Sequence, residues 1–228
     1  MLLSTSLAGA AIAFDLDGTL VETAPDLIGA LNLMLGERGL PHVPLSSARH
    51  LVGLGARVML EHGFAEAGAT FDAGEMPFMV ERFVELYRHR IADESHVFHG
   101  VEAVLDQFAA QGAILLVATN KRTDLSLELL EKLGLLNRFA AVVGPDAVSR
   151  RKPDPAHLIE AIHKAGGDPA RAVMVGDSAT DVLPARAARI PVVAVSFGYT
   201  ETPAAQLGAD RLIDHFDQLP RAVAELLA

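Results

Sequence analysis

Apolar positions along the chain fall into two rhythms. Five short runs are continuous rather than alternating: Ala11 to Phe14, Ile114 to Ala118, Ala140 to Gly144, Ala172 to Val175 and Pro191 to Val195. Continuous runs rich in Val, Ile and Ala predict strands buried on both faces of a parallel sheet. Helical spacing separates the last four. Val101, Val104, Leu105 and Phe108 fall at i, i+3, i+4 and i+7 and predict an amphipathic helix closed by Gly112, and Leu125, Leu129, Leu130 and Leu133 repeat the pattern before Gly134. Asp154-Pro155 places an N-cap before a proline at the first helical position, and that helix is expected to end at Gly166-Gly167. Strands alternating with helices are βαβ units. The expected fold class is therefore α/β: a doubly wound, Rossmann-like parallel sheet core with an inserted all-helical cap domain.

The insertion follows from one gap. About a hundred residues separate the first run from the second, too many for one crossover loop. The intervening pattern predicts helices over Pro25 to Glu37, Leu45 to Val52, Ala56 to Gly63 and Met76 to Ile91, with no strand between Val21 and Val97. The last helix gathers Met76, Met79, Val80, Phe83, Val84 and Tyr87 on one face. Residues 1–21 and 98–228 are expected to form the core and residues 22–97 the cap, with linkers near Glu22 to Ala24 and Asp93 to His99.

Composition narrows the function. A chain of 228 residues, half of them hydrophobic, can bury one core and a smaller satellite. Charges break each apolar run short of the roughly 20 residues that span a bilayer, so no membrane segment is expected. The opening stretch, Met1 to Ala13, lacks a basic region and leads straight into the first strand, which favours a strand over a signal peptide. There is no cysteine, hence no disulfide, thiolate nucleophile or Cys-ligated metal, and a cytoplasmic location fits. A net charge of -10 argues against nucleic acid as a partner. It also means that any phosphate site must concentrate its cations locally, and Lys121, Lys132, Lys152 and Lys164 are the full set of lysines.

Chemistry-bearing residues sit at the ends of the predicted strands. Asp15 and Asp17 follow the first run, with Gly18-Thr19 turning the chain; Thr119-Asn120 follow the second; Lys152-Pro153 precede the helix before the fourth; Gly176 to Asp181 follow the fourth. In a parallel sheet these ends open on one edge. Paired buried carboxylates are costly without a neutralising cation or proton. The set suits phosphoryl transfer, offering oxygen ligands for Mg²⁺, a carboxylate nucleophile and donors for phosphate oxygens.

Phe14 to Leu20, Val117 to Lys121, Lys152 to Pro155 and Val175 to Asp181 resemble, in order, the four motifs of the haloacid dehalogenase-like hydrolase superfamily. Ala24 to Leu27, Val52 to Ala56 and Thr119 to Lys121 resemble more narrowly the phosphoglycolate phosphatases. The resemblance implies that Asp15 attacks phosphorus and that Asp17 protonates the leaving alkoxide and then deprotonates water. It implies Mg²⁺ held by Asp15, Asp177 and the Asp17 main-chain carbonyl. Thr119, Asn120 and Lys152 would bind the transferring phosphoryl group, and Asp181 would orient Lys152 or a metal-bound water, with Ser178 beside it. The expected substrate is a small phosphate ester, 2-phosphoglycolate being favoured.

Two departures from the superfamily pattern bear on local geometry. Ser178 to Asp181 matches a capping box, yet Pro184 falls six positions on, so either the helix starts later with Asp181 as N-cap or it kinks. Glu22-Thr23 stands where Asp-Ser is more usual. Lys121 and Arg122 can supply positive potential near phosphate, and Arg57, after the Gly53 to Gly55 loop, can reach a substrate carboxylate or simply sit on a helix surface. His42, His62 and His89 read as surface residues, whereas His96 and His99 at the hinge are candidates to line the cleft. The absence of lysine before residue 121 excludes a Schiff-base phosphonate hydrolase, and Asp17 argues against a dehalogenase. A sugar phosphomutase and a non-catalytic binding protein remain the alternatives, as either a monomer or a homodimer.

Overall fold

The first apolar run becomes β1 (Ala11–Phe14), completely buried, and the rest of the core is wound around it. The computed structural model describes residues 6–228; the start of the lead-in, residues 1–5, lies outside the described residues. Chain order continues through β2 (Val21–Glu22), α1 (Ala24–Glu37), α2 (Leu45–Ala48), α3 (Ala56–Glu66), α4 (Met76–His89), β3 (His96–Val97), α5 (Val101–Ala110) and β4 (Ile114–Ala118). It ends with α6 (Thr123–Lys132), β5 (Ala141–Val143), α7 (Pro155–Lys164), β6 (Ala172–Gly176), α8 (Ala179–Ala187), β7 (Val192–Val195), β8 (Arg211–Ile213) and α9 (Leu219–Leu226).

Among the described residues six strands form one sheet in the order β5-β4-β1-β6-β7-β8, every neighbouring pair parallel. The winding starts at β1, moves outward through β4 and β5, then crosses to β6 on the other side. That reversal is the switch point at which open α/β sheets form their clefts. The period of two divides β1 between the faces. Ala11 and Ala13 pack with Leu158, Ala161 and Ile162 of α7 and Val182 and Ala185 of α8, whereas Ile12 and Phe14 pack with Val104 and Phe108 of α5, Leu129 of α6 and Val223 of α9.

The inserted helices leave and rejoin the core side by side, because β2 and β3 pair antiparallel with Val21 opposite Val97 and Glu22 opposite His96. Leu31, Leu35, Leu60, Phe64, Phe83 and Tyr87 are buried among them. Asp26, 0% exposed, fastens α1 to the returning linker: Oδ2 accepts from the Glu94 and Ser95 amides and the Ser95 hydroxyl, and Oδ1 from Arg90.

Several sequence expectations need correction. β3 falls where only a linker was expected, and β8 was not anticipated because three residues, two of them exposed, carry too short a pattern. The helix expected over Leu45 to Val52 is split into α2 and a tighter 3₁₀ turn over Arg49–Leu51, as expected of a segment too short to sustain α-helical nucleation before Gly53 at φ 90°. Helix α8 begins at Ala179 with Ser178, not Asp181, as N-cap, and Pro184 lies inside it. The lost internal bond is offset at the start of the helix, where Asp181 Oδ2 accepts from the Asp177 amide, the Ser178 amide and the Ser178 hydroxyl, each at 3.1 Å. No helix among the described residues is long and apolar enough to cross a membrane.

Two buried polar groups give measurable consequences. Asp26→Ala leaves the Glu94 and Ser95 amides and the Ser95 hydroxyl without their acceptor, while Arg90 keeps Glu94, and urea unfolding should show a loss of about 2–3 kcal/mol. His157, in the first turn of α7, is 0% exposed and neither ring nitrogen has a hydrogen-bond partner. Burial, and secondarily the Lys152 charge, lowers it to about 4. The unfolded chain therefore takes up a proton below about pH 6.5 that the folded protein refuses. The histidine's contribution should fall progressively from that pH down to about 4 by roughly 3 kcal/mol. The stability difference between His157→Leu and wild type, measured by urea unfolding across that range, should shift by this amount in favour of the variant.

Candidate active site

Strand register brings the motif residues level. Phe14 lies opposite Val117 on one side and Val175 on the other, so the residues that follow, Asp15, Thr119 and Asp177, emerge together at the carboxyl edge. The Asp15 amide still bonds Val175 O at 2.9 Å and the Thr119 amide bonds Val143 O at 3.0 Å, which holds both side chains on strand-like backbone. Past Asp17, Gly18 adopts φ 80°, and a Cβ there would lie 2.6 Å from Asp177 Oδ2. Only glycine lets the turn approach so closely.

Lys152, 2% exposed, sits between two carboxylates: its Nζ lies 2.9 Å from Asp15 Oδ1 and 2.7 Å from Asp181 Oδ1. Oxygens of Asp15, Asp177 and Asp181 all lie within 4.8 Å of one another. Three buried carboxylates thus share one ammonium. Burial would lower the Lys152 ammonium, but the charges of Asp15 and Asp181 outweigh it and raise it. Burial lifts Asp15 to about 6 despite Lys152, and burial together with Asp181 and Asp15 pushes Asp177 well above the usual carboxylate range.

That surplus of negative charge tests the fit of a divalent cation. Asp15 Oδ1 is buried and, despite the nearby ammonium, accepts no hydrogen bond of good geometry. Asp181 is fully engaged by Lys152 and the α8 cap, which leaves Asp15 and Asp177 as the carboxylates with ligand capacity. An all-oxygen set suits Mg²⁺. Asp181, by contrast, accepts from Lys152 Nζ at 2.7 Å.

The Asp17 carboxylate belongs to a different cluster. Lys121 Nζ lies 3.0 Å from its Oδ1 and 3.3 Å from its Oδ2, and Thr23 Oγ1 donates to Oδ1 at 2.7 Å. Lys121 is itself buried, 4.4 Å from the Tyr87 ring centroid on α4. Burial opposes its charge, but Asp17 and Tyr87 raise its pKa overall. The Tyr87 hydroxyl is buried without a hydrogen-bond partner and is pushed up to about 12 by burial, so it stays protonated. Thr119 Oγ1 accepts from the Lys121 amide at 3.2 Å, and Asn120 Nδ2 donates to Lys152 O at 3.3 Å while its Oδ1 has no hydrogen-bond partner.

A cavity of about 280 Å³ opens beside Asp17 between the sheet edge and the inserted helices. Leu54, Val58, Phe83 and Tyr87 line it from the insertion, and Asn120, Lys121, Arg122 and Arg151 from the core. Arg57 also lines it, although exposed and paired with Glu61 at 3.0 Å. Arg122 is chelated by Asp124. Arg151 makes no side-chain hydrogen bond or ion pair among the described residues. His96 and His99 do not line the cavity: His96 is drawn into β3, and His99 Nδ1 meets His215 Nε2 at 2.8 Å. His42, His62 and His89 are exposed.

Sequence reasoning missed Tyr199, Thr19 and Arg151. Tyr199 N–H donates to Asp177 Oδ2 at 2.6 Å, and Thr19 Oγ1 approaches Asp177 Oδ1 at 3.4 Å. The available signal was position, since Tyr199 follows β7 at the same sheet edge.

The model of the haloacid dehalogenase-like hydrolase family matches residues 12–195. A phosphoglycolate phosphatase of Caulobacter vibrioides is 52% identical over 221 residues, covering 97% of this chain and 93% of its own. An N-acetylmuramic acid 6-phosphate phosphatase of Pseudomonas aeruginosa is 35% identical, covering 94% of this chain and 96% of its own. Among solved structures, one described as a predicted phosphoglycolate phosphatase from Haemophilus somnus 129PT superposes with a TM-score of 0.86 at 29% identity, covering 97% of this chain and 99% of that one. Motifs, sheet order and relatives agree, and the chain belongs to the haloacid dehalogenase-like hydrolase family.

Proposed function

We propose that this phosphoric monoester hydrolase cleaves a small, carboxylate-bearing phosphate ester, 2-phosphoglycolate, through a phosphorylated Asp15. One observation carries the reading: the Asp15 carboxylate is buried at the sheet edge, with Oδ1 2.9 Å from the Lys152 ammonium and an oxygen within 4.8 Å of Asp177. A carboxylate held in place by a neighbouring ammonium, where incoming phosphate can meet it, is positioned to act as a nucleophile.

In the first step an Asp15 oxygen forms the bond to phosphorus and the bond to the leaving oxygen breaks, with Asp17 passing its proton to the departing alkoxide. In the second, water attacks phosphorus as the bond to Asp15 breaks, Asp17 takes the water's proton, and inorganic phosphate departs, restoring the Asp15 carboxylate and the protonated Asp17. Mg²⁺ held by Asp15, Asp177 and the Asp17 main-chain carbonyl would supply the positive charge that offsets repulsion between nucleophile and phosphate dianion. Lys152 and Thr119 face the transferring oxygens, and Lys121 with Thr23 fixes the orientation of Asp17. Residues 22–97 act as a cap over the core, excluding water and selecting the leaving group.

Specificity follows from which cation is uncommitted. Arg57 and Arg122 have carboxylate partners, whereas Arg151 reaches the cavity without one among the described residues, so Arg151 is the residue for the substrate carboxylate. The cavity exceeds what a two-carbon leaving group fills, which favours as a second reading an ester as bulky as the amino-sugar 6-phosphate named for the Pseudomonas aeruginosa relative.

Asp15→Asn should abolish phosphate release while leaving the unfolding midpoint near wild type; retained turnover would remove the nucleophile assignment. A panel of phosphate esters should rank 2-phosphoglycolate above the amino-sugar 6-phosphate, and isomerisation of a sugar phosphate without net phosphate release would identify a mutase instead. Arg151→Ala should raise KM for 2-phosphoglycolate about 10- to 100-fold, the worth of a charge-assisted hydrogen bond, with little change for p-nitrophenyl phosphate. Arg57→Ala should have the smaller effect of the two.

A further inference from the structure

We propose that Tyr199 is a positioning residue that couples the Asp177 carboxylate to the hinge of the inserted helices. The inference rests on the reading above only in taking Asp177 as a cation ligand.

Thr23 stands at the N-cap position of α1 but makes no side-chain capping bond, because its Oγ1 donates to Asp17. A helix N-terminus left in this state exposes orphan amides that need an acceptor. Tyr199, from the loop after β7, supplies it: its Oη accepts from the Thr23 amide at 2.7 Å and the Ala24 amide at 3.1 Å. The same hydroxyl donates to Glu22 Oε1 at 2.5 Å, so its one proton and both lone pairs are spent. Burial, reinforced by Glu22, raises the phenol and keeps that proton in place.

The other end of the residue is tied to the chemistry. Its main-chain N–H donates to Asp177 Oδ2 at 2.6 Å, and the preceding Gly198 leaves room, since a Cβ there would fall 2.1 Å from Asp177 Cβ. Between these two anchors the ring has little freedom. A Cβ on Gly18 would lie 2.7 Å from it, and on the side of the insertion the Arg49 guanidinium sits 5.0 Å from the ring centroid while pairing with Glu22.

One rigid side chain therefore spans from the Asp177 carboxylate to the first amides of the insertion. A cation that fixes Asp177 fixes the Tyr199 main chain and, through the ring, the acceptor that caps α1. Coupling of this kind is reciprocal, so hinge position should bias cation binding as well.

Amide hydrogen exchange with and without Mg²⁺, in the absence of any substrate, tests the coupling directly. In wild type, Mg²⁺ should slow exchange of the Thr23 and Ala24 amides. In Tyr199→Phe these amides should exchange about tenfold faster, as expected when a hydrogen bond is lost, and Mg²⁺ should no longer slow them. Calorimetric Mg²⁺ affinity should stay within about threefold of wild type, because the main-chain donor to Asp177 remains and only the modest coupling term is removed. Unchanged exchange in α4 marks a folded variant. The proposal is overturned if Mg²⁺ does not affect these amides in wild type, or if it slows them equally in Tyr199→Phe. Neither readout involves turnover, so failure here is distinct from failure of the phosphatase reading.

Discussion

The molecule is organised around an electrostatic surplus: Asp15, Asp177 and Asp181 are buried at the carboxyl edge of a parallel sheet with Lys152 as their common ammonium. Burying like charges costs several kcal/mol per uncompensated ion, so the cluster persists only because the fold fixes it from many sides. Register places Asp15 between β4 and β6, a capping box immobilises Asp181, and two glycines allow close approach around Asp177. The upward displacement of Asp15 and Asp177 is the visible sign of an unmet demand for positive charge. A divalent cation would meet that demand, and its binding would link stability of the site to readiness for reaction.

Asp17 shows the same economy with a different solution. Its charge is matched inside the protein by Lys121, so the group assigned to proton transfer and the group assigned to attack at phosphorus have separate partners despite being two residues apart. Lys121 also lies over Tyr87 of α4, and Thr23 joins Asp17 to the start of α1. Contacts to the insertion thus run through Asp17, the proposed acid-base residue, on one side and through Tyr199 on the other. Displacing the insertion would disturb both, which is the physical basis for expecting the cap to govern chemistry as well as access.

Much of this was legible in the sequence, for specific reasons. A parallel sheet covered on both faces requires continuous apolar runs, and β1, β4, β5, β6 and β7 fall on the runs at Ala11, Ile114, Ala140, Ala172 and Pro191. Asp15, Asp177 and Lys152 stood out because strand ends converge, and convergence follows from topology alone. What escaped depends on contacts between distant segments. Lys121 reads as a source of positive potential near phosphate, and only the fold pairs it with Asp17, 104 positions away. Tyr199 carries no motif, and its partners Thr23 and Asp177 lie far from it in sequence. The start of α8 was ambiguous because the proline penalty and the capping gain are comparable in size, and only the three donors gathered on Asp181 decide between them.

Cation supply then explains how a chain of net charge -10 handles an anionic substrate. Of four lysines, Lys132 and Lys164 are exposed, while Lys121 and Lys152 are buried at the site and each is held by a carboxylate. Neither presents a free charge to solution, so long-range attraction is weak and recognition must occur at contact. Arginines that rim the cavity are mostly neutralised as well, Arg57 by Glu61 and Arg122 by Asp124. Among the described residues Arg151, adjacent in sequence to Lys152, is the cavity arginine without a carboxylate partner, and a phosphate ester that enters would gain most there. On the proposed reading, discrimination among leaving groups falls to the core loop that carries Lys152, while the inserted helices shape the cavity with Leu54, Val58, Phe83 and Tyr87. Charge would then be read by the core and volume by the insertion, so the two could change independently within one catalytic frame.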